Sequence, residues 1–232
     1  MESFKAVIPV AGQGKRMQSD INKQFMLLQG MPIIVHTLRI FQAATIINEI
    51  VLICGPGEEQ YYKQEVLRDY GITKPVTVVT GGKERQDSVY YGLQSISEVN
   101  CYVMIHDGVR PLVTLDLISR MAEEVVLTGA VVAGVPVKDT IKRTDAGGYI
   151  IDTVQRENLW QIQTPQAFEL GLVKQAHERA RAEAFYGTDD ATLLERQGVG
   201  IKIIYGSYEN IKITTPEDIV VAETILQGRA RR

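Results

Sequence analysis

The chain has 232 residues, of which 45% are hydrophobic and 23% are charged, a balance typical of globular proteins that excludes wholesale disorder. Lysine and arginine total 25 against 28 aspartate and glutamate, so the net charge of −3 provides no general attraction for duplex nucleic acid. The cysteines Cys54 and Cys101 lie in apolar, strand-like runs and indicate neither a disulfide framework nor a zinc site. No apolar stretch approaches the roughly 20 residues of a membrane-spanning helix. The N-terminus also lacks a secretory-signal pattern, so we expect a cytoplasmic protein.

Short apolar, β-branched runs alternate with helical segments along most of the chain. The predicted strands are Lys5–Val10, Glu49–Cys54, Val76–Thr80, Tyr102–His106, Ala130–Val137 and Ile201–Tyr205. The predicted helices are Met31–Ala43, a polar helix that ends at Tyr70, Gln86–Ile96, Leu115–Leu127, Glu169–Ala184, Thr188–Gln197 and a last helix that begins after Thr215. This alternation predicts an α/β fold with a mostly parallel sheet that helices cover on both faces.

The alternation lapses between residues 138 and 163. There, Thr140–Arg143 and Tyr149–Val154 flank a glycine-containing turn, a pattern that predicts a β-hairpin. We interpret residues 138–163 as a β-arm insertion that is suited to contact a partner subunit. Since no repeat or linker interrupts the rest, residues 1–232 are interpreted as one domain.

Charged residues follow several of the predicted strands. Ligands of open α/β sheets bind beyond the carboxyl ends of the strands, and the cations expected there are Lys15, Arg16, Lys83, Arg85, Arg110 and Lys138. A single acid, Asp107, directly follows the fourth strand. A carboxylate at a buried edge must be paired or metal-bound, and both an Mg²⁺ ligand and an ion pair with Arg110 remain open for it. The pattern predicts a site for a phosphate-rich substrate.

The glycine-containing loop after the first strand differs from two common nucleotide motifs. Gly12 and Gly14 match the dinucleotide fingerprint, but Met17 stands at its third glycine position and no acid follows the second strand. No Gly-Lys-Ser/Thr follows either, so the loop is not a P-loop. We expect its backbone N–H groups to approach phosphate oxygens while Arg16 and Lys23 supply positive charge. Taken alone, Lys23 is better interpreted as a solvated surface lysine, but its setting in Asn22–Phe25, ahead of a packed helix, weakens that interpretation.

Histidine and cysteine residues give no sign of a protein nucleophile. His36 and His177 lie in helical runs and are interpreted as structural or solvated, and Cys54 as a core residue. The role of His106, which directly precedes Asp107, stays open.

Eight segments, in order along nearly the whole chain, resemble the 2-C-methyl-D-erythritol 4-phosphate cytidylyltransferase family of the non-mevalonate isoprenoid pathway. They are 9–17 (PVAGQGKRM), 22–25 (NKQF), 81–89 (GGKERQDSV), 106–111 (HDGVRP), 138–143 (KDTIKR), 163–166 (QTPQ), 188–191 (TDDA) and 210–214 (NIKIT). Eight segments in register form a specific match, whereas a single one would be weak.

The resemblance implies a Rossmann-like nucleotidyltransferase that joins CTP to a sugar-alcohol phosphate, releases pyrophosphate with Mg²⁺ present and forms a homodimer through the β-arm. Arg16 and Lys23 would be catalytic, and Asp107 would lie beside the metal. The nucleotide would meet Val10, Ala11, Gly12, Gln13, Gly14, Lys15, Gly82, Lys83, Arg85, Ser88 and Asp107. The acceptor would meet Arg110, Thr140, Arg156, Thr164, Thr188 and Lys212.

Two departures from the family pattern stand near the predicted site. Val10 and Gly108 each occupy a position where alanine is usual. Two alternatives to the implied function remain: a ribitol-5-phosphate cytidylyltransferase, and a non-catalytic regulator that binds a nucleotide on the same fold.

Overall fold

The computed structural model describes residues 2–11 and 25–231 and contains eleven strands and seven helices in that part of the chain. The strands are β1 (Phe4–Pro9), β2 (Leu27–Leu28), β3 (Met31–Pro32), β4 (Ile47–Cys54), β5 (Val76–Thr80), β6 (Tyr102–Ile105), β7 (Ala130–Pro136), β8 (Ile141–Thr144), β9 (Ile150–Val154), β10 (Trp160–Glu169) and β11 (Lys202–Tyr205). The helices are α1 (Ile33–Ala43), α2 (Glu59–Tyr61, continued by a π-helical stretch Tyr62–Arg68), α3 (Arg85–Gln94), α4 (Leu115–Thr128), α5 (Leu170–Ala182), α6 (Asp190–Glu195) and α7 (Pro216–Ala230).

Seven of these strands form one sheet in the order β11-β7-β10-β6-β1-β4-β5. All neighbours are parallel except β10, which runs antiparallel between β6 and β7. The mostly parallel α/β fold predicted from the sequence is therefore confirmed. One consequence matters for function: the carboxyl ends of β1, β4, β5, β6, β7 and β11 all lie at the same edge of the sheet.

Helices bury both faces of this sheet, which is why its strands are apolar along their whole length. Ala6 and Ile8 of β1 pack into one cluster with α1 and α4, whereas Val7, between them, packs with α3 and α5 on the other face. Helix α4 begins where the Thr114 hydroxyl accepts the backbone N–H of Leu117 (3.3 Å). It ends at Gly129, whose φ of 76° suits glycine.

The structure corrects the predicted elements in four places. Strand β10 was not predicted, and because it begins at Trp160, residues 160–163 belong to the central sheet rather than to the arm. Met31 and Pro32 form β3 instead of the first turn of α1, and α6 is shorter than predicted. The arm is the separate two-stranded pair of β8 and β9. Within the described ranges, no helix combines the length and the apolar character needed to cross a bilayer.

Candidate active site

The segments that follow the parallel strands meet at the carboxyl-terminal edge of the sheet and carry most of the predicted site residues. Val10 and Ala11 follow β1, Gly82, Lys83 and Arg85 follow β5, Asp107 and Arg110 follow β6, and Lys212 lies between β11 and α7. The predicted residues Gly12, Gln13, Gly14, Lys15, Arg16 and Lys23 lie outside the described residues, so their roles stay predictions.

Asp107 lies at the centre of a cluster of three cations. Its Oδ1 is 3.0 Å from Arg85 Nε, and its Oδ2 is 2.8 Å from Lys212 Nζ and 3.7 Å from Arg110 Nε. Burial alone would raise the pKa of this carboxyl, which is only 9% exposed, but Arg85, Lys212 and Arg110 together hold its pKa well below the usual range. Asp107 is therefore ionised at neutral pH, and it organises three positive charges at the sheet edge.

Arg85 also reaches a second, fully buried acid on α6. Its Nη1 donates to Asp190 Oδ2 (2.8 Å), and the other oxygen of Asp190 lies 3.1 Å from His177 Nε2. Burial alone would raise the pKa of Asp190, but Arg85 and His177 lower it. The guanidinium is thus held between two carboxylates, and its orientation is fixed before any ligand binds. The interpretation of His177 as a structural residue agrees with this contact.

A buried threonine and histidine fasten the turn that carries Asp107. The backbone N–H of Asp107 donates to Thr164 Oγ1 (3.1 Å), which also lies 3.1 Å from His106 Nδ1. His106 Nε2 is 3.0 Å from the carbonyl oxygen of Arg110, so Nε2 carries the hydrogen and Nδ1 accepts from the threonine hydroxyl. Burial lowers the pKa of His106 to about 4, which keeps the ring neutral. The hydroxyl of Thr164 is thus hydrogen bonded to Asp107 and His106 within the protein, and its predicted contact with the acceptor stays a prediction.

The chain after β11 is tied to the same turn through Asn210. The side-chain NH₂ group of Asn210 donates to the backbone carbonyl oxygen of Thr164 (2.9 Å), and the backbone carbonyl oxygen of Asn210 accepts from Arg110 Nη1 (2.9 Å). Ile213 continues this attachment with a backbone hydrogen bond to Val109 (2.9 Å). Because these bonds flank Lys212 on both sides, they hold its backbone at the distance from which the ammonium reaches Asp107.

The predicted nucleotide residues after β5 lie at the start of α3. The Gly82 N–H donates to Ser88 Oγ (3.1 Å), and that hydroxyl donates to the carbonyl oxygen of Glu84 (3.1 Å). Ser88 is buried, so its hydroxyl shapes the glycine turn from beneath. Lys83 is exposed and makes no ion pair with any residue in the described ranges, which leaves its charge available at the surface of the site.

Three of the predicted acceptor residues stand apart from the Asp107 cluster. Thr140 and Arg156 lie at the two ends of the arm and are exposed, and Arg156 Nη1 donates to the carbonyl oxygen of Lys138. Thr188 is exposed, and its hydroxyl lies 3.1 Å from that of Thr192. Among the described residues, none of the three is hydrogen bonded to Asp107, so their roles toward the acceptor stay predictions.

The described part of the chain contains no group of three or more His, Cys, Asp or Glu side chains placed to hold a metal ion. It also offers no reactive thiol at this edge. Cys54, at the end of β4, is buried, and burial raises the pKa of its thiol to about 11, as expected of a core residue.

Sequence reasoning left the role of His106 open and missed three other residues that organise the site: Asp190, Gln166 and Asn210. Gln166 donates to Asp189 (2.6 Å) and accepts the N–H of Ala191 (3.1 Å), so it holds the start of α6, where Asp190 lies. Asp190, Gln166 and Asn210 stand in segments that carried the family resemblance, but nothing in a single sequence indicates which partner each of them meets.

Comparison with known proteins shows the family and the fold of the chain. Residues 4–228 match the family model described as "IspD: 2-C-methyl-D-erythritol 4-phosphate cytidylyltransferase". The enzyme of that name from Alkaliphilus oremlandii is 47% identical, with 96% of this chain and 94% of that protein covered, and the one from Pelotomaculum thermopropionicum is 43% identical, with 100% and 98% covered. The crystal structure of 4-diphosphocytidyl-2C-methyl-D-erythritol synthase from Anaerococcus prevotii superposes with a TM-score of 0.86 at 32% identity over 97% of this chain and 96% of that one. The chain therefore belongs to the 2-C-methyl-D-erythritol 4-phosphate cytidylyltransferase family.

Proposed function

We propose that this protein transfers the cytidylyl group of CTP to 2-C-methyl-D-erythritol 4-phosphate and releases pyrophosphate. Family membership supports the reaction. The observation that carries it to individual residues is the convergence of Arg85, Arg110 and Lys212 on the single acid Asp107. Three cations against two carboxylates, Asp107 and Asp190, leave the cluster positive, as a site for two phosphate-bearing substrates requires.

The reaction requires the protein to align the two substrates and to neutralise their charge. An oxygen of the acceptor phosphate forms a bond to the α-phosphorus of CTP while the bond from that phosphorus to the β-phosphate oxygen breaks, and the electron pair leaves with pyrophosphate. Because the attacking oxygen is already an anion, no general base is needed. Catalysis then rests on in-line alignment and on neutralising the charge of the transition state. The burial of Cys54 is consistent with a reaction that uses no thiol nucleophile.

Lys212 is our proposed contact for the acceptor phosphate. Its side chain is 37% exposed against 13% for Arg110, and its ammonium keeps donor hydrogens beyond the one that faces Asp107. Arg110 and Thr188 assist from the same subunit. Arg85 is committed to Asp107 and Asp190, so we assign it the orientation of Asp107 in place of the predicted direct contact with the nucleotide.

CTP is proposed to lie over the ends of β1 and β5. The N–H groups of Val10 and Gly82 already donate to Ile53 and Ser88, so we assign these two residues to shaping the site. The backbone from Ala11 onward is proposed to supply N–H groups, and exposed Lys83 supplies charge. Arg16 and Lys23 are proposed to neutralise the α-phosphate.

The described residues of the site could hold Mg²⁺ through a single protein carboxylate, that of Asp107. Asp107 is ionised, and its two oxygens have lone pairs beyond those that face Arg85 and Lys212. Mg²⁺ is commonly held by one or two carboxylates together with waters and substrate phosphates. We propose that Asp107 contacts the ion. When bound, Mg²⁺ supplies charge neutralisation to the triphosphate and makes pyrophosphate a better leaving group.

A second copy of the chain is the proposed partner of the arm. The arm exposes three large hydrophobic side chains in a row: Tyr149 (77% exposed), Ile150 (64%) and Ile151 (61%). This is a large apolar surface for a pair of strands to which no third described strand is hydrogen bonded. Pairing of two arms would bury these side chains and bring Thr140 and Arg156 to a neighbouring site. Light scattering tests this: a dimer is expected, and a clean monomer would contradict it.

The reaction is tested by following pyrophosphate release from CTP and Mg²⁺ with either 2-C-methyl-D-erythritol 4-phosphate or ribitol 5-phosphate. Release with the first acceptor alone is expected. Release with ribitol 5-phosphate alone would overturn the acceptor assignment at Lys212, and release with neither would favour a nucleotide-binding regulator.

A further inference from the structure

Val10 and Ala11 each pack against a glycine that follows another strand of the sheet. Val10 faces Gly108, in the turn after β6, and Ala11 faces Gly81, directly after β5. The two residues immediately precede segment 12–24, which carries the predicted phosphate-binding glycines and cations. What these two side chains touch therefore determines where that segment leaves the sheet.

The contact between Val10 and Gly108 leaves no room for a further carbon atom. A Cβ built on Gly108 would lie 2.4 Å from Val10 Cγ1 and 3.0 Å from Ile34 Cδ1, whereas ordinary contacts begin near 3.4 Å. Val10 is 4% exposed and Ile34 is fully buried, so neither side chain can move into solvent. Gly108 does not have a positive φ, so close approach, rather than backbone conformation, accounts for glycine at this position.

The backbones on both sides of this contact are anchored. The Val10 N–H donates to the carbonyl oxygen of Ile53 (2.7 Å), and the Gly108 N–H donates to that of Pro9 (3.3 Å). The buried hydroxyl of Thr37 on α1 donates to the Gly108 carbonyl oxygen (2.9 Å). An added methyl group at position 108 must therefore displace either Val10 or the turn that carries its neighbour, Asp107.

We infer that Val10 and Gly108 are a size-matched positioning pair that sets the start of the nucleotide-binding segment relative to Asp107. This inference rests on the proposed function, because it takes CTP as the ligand of that segment. The pair acts through backbone placement and touches no reacting atom. The two substitutions are therefore expected to compensate each other. Alanine at position 108 weakens CTP binding when position 10 is valine, but not when position 10 is alanine, because its methyl group then occupies the space that Val10 Cγ1 has vacated.

The test measures the dissociation constant of CTP by calorimetry for the wild type, Gly108→Ala, Val10→Ala and the double variant. Gly108→Ala is expected to weaken CTP binding by about tenfold or more, the scale of a misplacement near 1 Å. The double variant is expected to return to within about threefold of the wild type, a coupling between neighbours that independent sites lack. Gly200→Ala is the matched control, because a Cβ at position 200 meets no atom within 4 Å.

The outcomes separate this inference from the proposed function. A wild type that does not bind CTP overturns the proposed function and the inference with it. The pair alone is overturned if the wild type binds CTP and the Gly108→Ala variant binds it with a dissociation constant within about twofold of the wild type. A fall in the melting temperature of that variant without a change in CTP binding would mean that the contact only stabilises the fold. If Gly108→Ala does not fold, the double variant decides: a folded double variant that binds CTP supports the pair, and an unfolded one overturns it.

Discussion

The Asp107 cluster and the β8–β9 arm carry two halves of one predicted site, yet they are built in opposite ways. In the cluster, the side chains of Asp107 and Asp190 are 9% and 1% exposed and are held by Arg85, Lys212 and His177. In the arm, the ion pair of Arg143 and Asp152 is 64% and 44% exposed, and the two strands pair only with each other.

This difference follows from the cost of burying charge. A buried carboxylate without partners is strongly unfavourable, so the fold itself must supply the cations around Asp107 and Asp190. Exposed residues such as Thr140 and Arg156 carry no such requirement, because water solvates them. The fold therefore builds the first half of the predicted site, and the proposal that a second subunit completes the other half remains to be tested.

The largest expected effect comes from Asp190→Ala. It leaves fully buried His177 without its acid and leaves Arg85, whose side chain is 32% exposed, with Asp107 as its partner. Breaking a buried ion pair typically costs about 3–5 kcal/mol. Denaturant unfolding measures this loss. The matched control in the arm is Asp152→Ala, which also removes an acid from an ion pair and is expected to leave the free energy of unfolding nearly unchanged. Equal losses in the two variants would contradict the contrast between the regions.

Next in size is the effect of Lys23→Ala or Arg16→Ala on turnover. Each is expected to lower kcat by about 100-fold or more, the scale of losing a charge partner of the transition state. Steady-state pyrophosphate release gives the measurement, with Lys202→Ala, an exposed lysine paired with Glu124, as control. Near-normal turnover in both variants would mean that the Asp107 cluster alone supplies the charge, and would remove the catalytic assignment.

Lys212→Ala and Arg156→Ala test whether the two regions meet across subunits. Loss of a charge-assisted hydrogen bond to the acceptor is expected to raise KM for the acceptor about tenfold or more in each variant.

Refolding the two variants together produces mixed dimers, which make up half of all dimers. If the arm of one subunit contributes to the site of the other, each mixed dimer holds one site with both Lys212 and Arg156 intact. Activity is then expected to recover to about a quarter of the wild type. A mixture that gives only the average of its two components would place the arm residues at their own subunit's site.

The smallest expected effect concerns pH and His106. Its pKa is near 6.5 in the unfolded chain and about 4 in the folded chain, where burial lowers it. The hydrogen bond to the Arg110 carbonyl and the charge of Asp107 oppose that lowering, and the charge of Arg110 adds to it. The unfolded chain therefore binds the proton first, and stability is lost as the pH falls from about 6.5 to about 4. Over this range the melting temperature of the wild type is expected to fall a few degrees more than that of His106→Gln. Parallel slopes would mean that the ring is not buried in its neutral form.

Most of the sheet was predictable because its strands are buried on both faces and are continuously apolar. Strand β10 escaped prediction because its sequence, WQIQTPQAFE, contains Pro165 and three glutamines. Proline argues against a central strand, but Pro165 lies in the stretch between Ile162 and Gln166 where the pairing with β7 shifts register, and the pairing with β6 begins only at Gln166. The same irregular stretch brings Thr164 to Asp107.

The site was predictable as a set of cations at strand ends but not as a set of pairs. An ion pair with Arg110 was one of the two roles left open for Asp107, and the structure shows that pair at 3.7 Å. The closer contacts of Asp107 are with Arg85 and Lys212, which lie 22 residues before it and 105 after it. Likewise, Val10 and Gly108 stood out in the sequence as two separate departures from the family pattern. Only their contact shows that the larger side chain at one position matches the smaller one at the other.

In the proposed reaction, the acceptor phosphate attacks CTP directly, and the protein contributes only charge and alignment. This mechanism is tested most directly by the exchange of labelled pyrophosphate into CTP, measured with and without 2-C-methyl-D-erythritol 4-phosphate. Label is expected to enter CTP only when the acceptor is present, because pyrophosphate leaves only as the acceptor attacks. Exchange with protein, Mg²⁺ and CTP alone would reveal a cytidylyl-enzyme intermediate and would contradict the account.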